Sequence, residues 1–558
     1  MKKVLPLSII ILSVGCSMLS IAQAAELPVF RVETGMFDEQ KATALFDQAF
    51  QTKAKAEQHS LRSTVIVLQE GERKLEFDQR SGHWYATDKA KRWTSRVDGK
   101  VPERQEAAEI ATKFVDQTDF LPSDKWVEFK QIALTETAIG DDRGGSVDKR
   151  ILDYTATWGA SIPIEGEPIP VVGGGGEIAV TVGVDGDVIS FMGGWRSIAE
   201  KVDSVDVGTQ DEAVEQFIKN SSNIEYKDVK ARLAYYAAPA FEKQEFLAPV
   251  WVISGEMLNG KEVVPIRSQI VATSLYGPVW KPGDDPKYRS KHDLSPGLAQ
   301  SDEESQKVFS LLDMIISPAF AASNPECGAS WIGTSQGLSG SSGNRQGFLD
   351  ECRGASLPVN FDWGNEAAFE SDWRRNDDSY VDAADLVFYT GHASQNGWNM
   401  FNPDDTFLHY SEVSGASDLW GQSDLEWFII AACGPLQSNH FMGNTTNAFD
   451  RWRDSFDGLH AMLAYGAVTY DNTEEGGRFM ELALGGEDVI DAWFRTAQEI
   501  QPATNGSSAP NGPDIYVVAM YAHDGDYCTE NDHLHGYGSV CPDVRGSAQR
   551  RTMMWSGT

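Results

Sequence analysis

Positive charge is scarce in this chain: 47 Lys and Arg stand against 82 Asp and Glu, a net charge of −35. Such an imbalance repels phosphate backbones and anionic membrane surfaces, which argues against nucleic acid and lipid headgroups as partners. Long hydrophobic runs are missing too. Past the first two dozen residues, no apolar stretch reaches the roughly 20 residues that a membrane-crossing helix needs. Calcium-loop spacing is also absent. Asn376-Asp377-Asp378 and Asn402-Pro403-Asp404-Asp405 lack the alternating ligands of a dedicated loop and read as solvated turns, with structural Ca²⁺ as the lesser reading. No cofactor or metal is expected. His523, Asp524, Asp526, Asp532, His533 and His535 are close in sequence, but no third ligand has a defined spacing.

Cysteine is sparse, at six in 558 residues. Lys2-Lys3, the apolar run Val4–Val14 and Ala22-Gln23-Ala24 form a secretory signal over residues 1–24, so the mature protein is expected outside the inner membrane, secreted or periplasmic. Lipidation at Cys16 is the weaker alternative, because Ser13 stands where a lipoprotein box carries Leu. Five cysteines remain after cleavage, and an odd count in an oxidising compartment leaves one thiol unpaired. Cys327 and Cys352 lie in Gly/Ser-rich sequence that reads as loop, and so do Cys528 and Cys541. Pairing within each neighbourhood leaves Cys433 free. A lone buried Cys is ordinarily just a small apolar side chain.

What is present is globular: 41% apolar residues and 16 Trp over a length that calls for two or three domains. Residues 25–100 read as a small α+β segment, with a helix at Glu39–Phe50 and strands near Ser63–Gln69 and Lys74–Phe77. Residues 101–280 read as two helix-plus-meander units, with helices Glu103–Val115 and Asp211–Ile218 and strands carrying Trp158 and Trp251. Residues 281–326 read as a linker with accessible Lys287, Arg289 and Lys291, containing an apolar patch at Val308–Ala322. From 327 to 558, strands alternate with helices, which predicts a mostly parallel sheet covered on both faces. Strands are expected at Ser330–Ile332, Val359–Phe361, Asp385–Tyr389, Glu426–Ala432, Leu463–Tyr470 and Ile515–Tyr521. Helices are expected at Glu366–Arg374, Asn447–Phe456 and Glu487–Ile500.

Two of those strands end abruptly at a reactive side chain: Asp385-Leu-Val-Phe-Tyr-Thr-Gly-His392 and Leu425-Glu-Trp-Phe-Ile-Ile-Ala-Ala-Cys433. Ligands and catalytic groups collect beyond the carboxyl ends of parallel strands. A thiol and an imidazole placed there are the parts of a nucleophile and its base. Tyr389-Thr-Gly-His392-Ala-Ser394 with Trp398, then Ala431-Ala-Cys433-Gly434, resembles the His and Cys blocks of the caspase and gingipain superfamily of cysteine peptidases, over about Cys327 to Ala522. Trp331-Ile-Gly, Phe361-Asp-Trp-Gly-Asn365 and Asp491-Ala-Trp-Phe494 also resemble a bacterial domain family of unknown function. Residues 101–280 faintly resemble the PepSY-type modules of secreted peptidase propeptides.

The resemblance implies a caspase/gingipain-like α/β domain after an α+β N-terminal region. It implies attack by Cys433, proton handling by His392, and an oxyanion held by the backbone of Ala393 and Gly434. Ala393 departs from the superfamily's Gly, and Ala resists a positive φ that Gly accepts. An acid orienting His392 is expected among Glu366, Glu370 and Asp362. The resemblance also implies cleavage of protein or peptide substrates, with the N-terminal region binding its own C-terminal domain as a propiece. The rival is a non-catalytic extracellular binding protein on the same fold. Gly333-Thr-Ser335-Gln-Gly337 matches a serine elbow, but that motif needs a helix directly after the serine, and Leu338–Gly343 reads as loop. His409, His440 and His460 stand alone. Trp398, Phe401 and Phe407 form either a subsite wall or core.

Overall fold

A computed structural model describes residues 26–34, 39–51, 55–56, 65–118, 120–144, 146–221, 224–277, 325–401, 405–413, 418–443, 445–505 and 514–558. The expected signal over residues 1–24, the basic residues of the expected linker, Val308–Ala322 and positions 402–404 lie outside them. The protein is a mixed α+β molecule with one large mixed sheet. Seven strands make its C-terminal part: β1 Cys327–Trp331, β2 Val359–Gly364, β3 Leu386–Thr390, β4 Trp427–Ala431, β5 Ala461–Tyr465, β6 Tyr516–His523 and β7 Arg550–Gly557. Their order is β2-β1-β3-β4-β5-β6-β7.

The first five strands run parallel, and β6 and β7 are antiparallel. This part of the sheet is therefore mostly parallel, as expected, with an antiparallel edge that makes the whole sheet mixed. Two helices, Glu475–Leu484 and Val489–Ile500, lie between β5 and β6. An even number of crossings returns the chain to the end of the sheet it left, so β6 must run backward.

Alternation on the pleat decides which layer each strand residue joins. Leu386, Phe388, Trp427, Ile429 and Leu463 pack with Phe348, Phe479, Met480 and Trp493 of the covering helices. Val387, Tyr389, Phe428, Ile430 and Met462 pack on the other face with Trp373, Trp398, Trp420 and Trp452. Both faces are covered, as the uninterrupted apolar runs require.

Three local expectations fail. Glu366–Arg374 is not a helix but two 3₁₀ turns, Asn365–Ala367 and Glu370–Trp373, interrupted by extended Phe369. Cys352 is not in a loop but in helix Ser341–Gly354, and Cys327 is in β1. β7 has no counterpart among the expected strands. The cysteine pairing itself stands: Cys327–Cys352 and Cys528–Cys541 form disulfides, with Cα separations of 6.7 and 5.9 Å, and Cys433 is free and buried. Such bridges persist in oxidising compartments. No described helix is long and apolar enough to cross a membrane.

In the N-terminal part, helices Arg104–Thr118 and Gln210–Asn220 are each followed by antiparallel strands, including Val147–Ile164 with Trp158 and Phe246–Asn259 with Trp251. The second helix begins with a capping box between Thr209 and Glu212. The long strand Glu128–Asp142 pairs antiparallel with β7, aligning Asp141 with Thr552 and Ala138 with Trp555. One ladder thus runs through both parts of the chain.

Candidate active site

The first strand of the C-terminal sheet sits inside it, with β2 on one side and β3 on the other. The chain leaves β1 one way and returns on the other side, so the crevice of such a switch point falls past the carboxyl ends of β1 and β3, and here it is filled by buried side chains. β3 and β4 pair in parallel from Leu386↔Trp427 to Thr390↔Ala431. The ladder ends there, and His392 and Cys433 each lie two residues past the end of neighbouring strands. Gly391 lies between Thr390 and His392, and a side chain there would overlap the Tyr389 hydroxyl. That hydroxyl donates to the Asn399 carbonyl (2.5 Å), which ties the turn down.

His392 is fully buried. Its Nε2 lies 3.1 Å from the Gln336 carbonyl, and its Nδ1 accepts from the Arg267 backbone N–H at 3.4 Å. A carbonyl can only accept, so the proton sits on Nε2 and Nδ1 carries the lone pair. Burial drives the imidazole pKa down to about 3, against the Gln336 carbonyl, which favours the charged form. Cys433 receives the Thr469 N–H at 3.4 Å, with Thr469 Oγ1 3.8 Å away. Burial pushes its thiol pKa up, opposed by the Arg267 guanidinium. At rest both groups are uncharged and each has other partners, Thr469 for the thiol and the Gln336 carbonyl and Arg267 N–H for the imidazole.

The expected oxyanion positions differ in conformation. Gly434 has φ 70°, a left-handed value that favours glycine. Ala393 is absent from the positive-φ residues and belongs to a short strand paired with Trp398. The Gly-to-Ala departure therefore imposes no backbone strain.

None of the three candidate acids is what holds the ring. Asp362 pairs with Arg345 (3.1 Å) and accepts from Trp331 Nε1 (3.3 Å). Glu370 pairs with Arg374 and Arg375, and Glu366 is exposed. The Gln336 carbonyl orients His392 instead. Its loop is the serine-elbow look-alike: Ser335 Oγ donates to Asn365 Oδ1 (2.7 Å), and Gly333 N–H donates to the same oxygen (3.0 Å). Gln336 Oε1 accepts from Asn399 Nδ2 at 2.6 Å. Helix Ser341–Gly354 follows this loop, against the loop reading of that stretch.

The remaining candidates resolve as structure. Trp398 is fully buried and stacks on Trp452 (5.4 Å) and Trp420 (5.9 Å), so it is core and not a subsite wall. Phe407 is buried and Phe401 half-buried. His409 caps its own turn, and His440 stacks on Trp555. His460 bonds Asp532 (2.7 Å) and approaches Asp543 (3.4 Å). Burial alone would lower its pKa, but these carboxylates raise it to about 9. His523 bonds Thr552, and His533 the Asn531 carbonyl. His535 lies 3.6 Å from both Asp385 and Glu426, at the starts of β3 and β4, opposite the crevice. Ligand atoms of these three lie within 4.8 Å of one another. Asp377 is buried, its pKa pushed up to about 7, and Asp378 accepts from Ser423.

Two residues at the crevice carry no sequence motif. Arg267, from the N-terminal part, is fully buried and pairs with Glu475 at 3.1 Å. The one sign of Arg267 in the sequence is a cation inside the apolar run Val263-Val-Pro-Ile-Arg-Ser-Gln-Ile270.

A family described as a domain of unknown function (DUF6345) matches residues 327–557, less than half of the chain. A solved structure of an uncharacterized protein from Eubacterium rectale ATCC 33656 is similar at 13% identity and a TM-score of 0.26, over 45% of this chain and 84% of that one. No curated protein matches the chain.

Proposed function

We propose that the protein is an exported cysteine endopeptidase of the caspase/gingipain type, with Cys433 as nucleophile and His392 as base. The observation that supports this reading is the pairing of β3 with β4, past whose carboxyl ends stand the one free thiol among the described residues and a histidine protonated on Nε2, whose Nδ1 serves as base once the Arg267 N–H withdraws. In the proposed reaction, Nδ1 takes the Cys433 proton and the thiolate attacks the scissile carbonyl carbon. The oxyanion forms against the N–H groups of Ala393 and Gly434, each worth about 3 kcal/mol. Collapse expels the amine, which takes its proton from the imidazolium and leaves a thioester. Water then attacks the thioester, giving its proton to Nδ1 and releasing the acid and the thiol.

Cys433→Ala and His392→Ala are each expected to abolish peptide cleavage while the circular-dichroism spectrum stays unchanged. The double variant should be no worse than either single, because the two act as a unit. Cleavage should require reductant and stop on thiol alkylation. Cleavage that survives alkylation would move the nucleophile elsewhere, Ser335 first. A second reading is a non-catalytic binding protein, favoured by one observation: Cys433 and His392 are both fully shielded from solvent. That reading gains if Cys433 still resists iodoacetamide after the crevice is opened.

A further inference from the structure

At the amino ends of β3 and β4, away from the crevice, three side chains converge. Asp385 precedes the first residue of β3, Glu426 precedes that of β4, and His535 comes from the loop closed by Cys528–Cys541. His535 Nε2 lies 3.6 Å from Asp385 Oδ1 and 3.6 Å from Glu426 Oε1. Both distances are too long for a hydrogen bond. A protonated imidazole acting as a counter-ion would close on one of the two carboxylates, and this one stands between them.

The spacing fits an ion. Ligand atoms arranged tetrahedrally about a metal, at bonds of about 2.0 to 2.2 Å, lie about 3.3 to 3.6 Å apart. One imidazole nitrogen with two carboxylates is a donor set of the zinc kind, and it leaves a fourth position for water. A second observation points the same way. Asp385 is 2% exposed, and Glu426 Oε2 is buried with no hydrogen-bond partner. A buried carboxylate oxygen without a donor is costly unless something positive faces it. Glu326 and Asp424 bring two more carboxylates to Asp385, with ligand atoms within 4.8 Å of one another. Among the described residues, His535 is the one basic group that pairs with Asp385 or Glu426.

The three groups are held in place by other contacts. Asp385 Oδ2 accepts from the Glu326 N–H (2.6 Å), and the Asp385 carbonyl accepts from the N–H groups of Glu426 (3.1 Å) and Trp427 (3.0 Å). The His535 ring packs against Trp427, with centroids 5.6 Å apart. Its loop is fixed by the disulfide and by Asp532, which accepts from the Cys541 N–H (2.8 Å) and bonds His460 (2.7 Å). Glu426 and His535 are part-exposed, which gives an ion a way in and water a place among its ligands. We infer that Asp385, Glu426 and His535 form a binding site for a divalent transition-metal ion of the zinc type, which ties the disulfide-closed loop to the starts of β3 and β4. The site does not rest on the peptidase reading, since it lies at the far end of the strands from Cys433 and His392.

The test uses the full chain and its His535→Gln variant, both stripped with EDTA and dialysed. Thermal unfolding and titration calorimetry are run with the chlorides of zinc, calcium and magnesium. At about 100 times its Kd, zinc should raise the wild-type midpoint by about 2 °C or more. Calcium and magnesium, which favour all-oxygen sites, should raise it by less. His535→Gln should fold, bind zinc about 100-fold more weakly and lose most of the shift at the same concentration.

Zinc that stabilises neither form, or both alike, overturns the site, and so does a calcium response equal to that of zinc. Should His535→Gln not fold, Glu426→Gln keeps the shape of the side chain and removes its charge. It should bind zinc at least about 10-fold more weakly than the wild type, and unchanged affinity there overturns the proposal.

Discussion

Burial, more than neighbouring charge, sets protonation at His392 and Glu177, and it acts in opposite directions on the base and the acid. His392 moves from its usual 6.5 to about 3. Between those values the unfolded chain takes up a proton that the folded one refuses, so this residue's contribution to stability falls as pH drops and is flat above 6.5. Glu177, buried with one hydrogen bond from the Ala503 N–H (2.8 Å), moves from 4.5 to about 8. Here the folded chain keeps a proton that the unfolded one has lost, so stability falls as pH rises from 4.5 to 8. Glu177→Gln should raise stability at pH 8.5, by on the order of 2 to 4 kcal/mol, and leave it nearly unchanged at pH 4, as read from unfolding midpoints. An equal shift at both pH values would mean that Glu177 does not titrate as described. At this scale the sequence is uneven in what it reveals. His392 and Cys433 are legible because each terminates an apolar strand, and the disulfides because five cysteines leave one over. The group orienting His392 is not legible, since a backbone carbonyl has no side-chain signature. Arg267 and Glu475 are 208 positions apart, and their meaning exists only once the two parts close.

Among the elements, helix Ser341–Gly354 is the instructive miss. Ser341-Ser-Gly-Asn-Arg-Gln-Gly347 has the composition of a loop, yet its glycines serve close packing against helix Glu475–Leu484. A Cβ on Gly347 would come within 3.2 Å of Gly477, and one on Gly476 would overlap the Asn344 carbonyl oxygen. Composition records small residues without saying whether they turn the chain or let two helices approach. Gly476→Ala should therefore cost about 1 to 3 kcal/mol. Gly354, where an added Cβ would meet nothing within 4 Å, is the control. Gly354→Ala should be neutral or stabilising by up to about 1 kcal/mol. Urea midpoints of the two variants decide this, and equal loss in both would remove the packing argument. Strands β3, β4 and β6, by contrast, are legible to within two residues at each end, whereas the expected Leu463–Tyr470 overruns β5 by five residues and β7 is missed. Buried parallel strands are short continuous apolar runs, and their length, flanking Gly and β-branched or aromatic content separate them from buried helix segments.

For the whole molecule, the decisive contact is β7 with Glu128–Asp142, which no local pattern announces. Without it β7 is an open edge, and unpaired edges invite other chains. Residues 325–558 expressed alone should aggregate, or unfold at a lower temperature than the full chain, and residues 25–277 added in trans should restore both properties. A fragment as soluble and as stable as the full chain would show that the ladder contributes little. The N-terminal part is then as much a folding partner as a cover.

That ladder and the Arg267 insertion bear on what a single cut between residues 277 and 325 would achieve. The two pieces would still be held by a β-ladder and a buried ion pair, so hydrolysis of the connection alone would not open the crevice. It would turn an intramolecular closure into a bimolecular one. Effective concentrations in the millimolar range would be replaced by whatever concentration the pieces share. A nicked protein would remain shut while crowded and open once it spreads into a larger volume, on the timescale of the dissociation rate. Dilution itself would be the trigger.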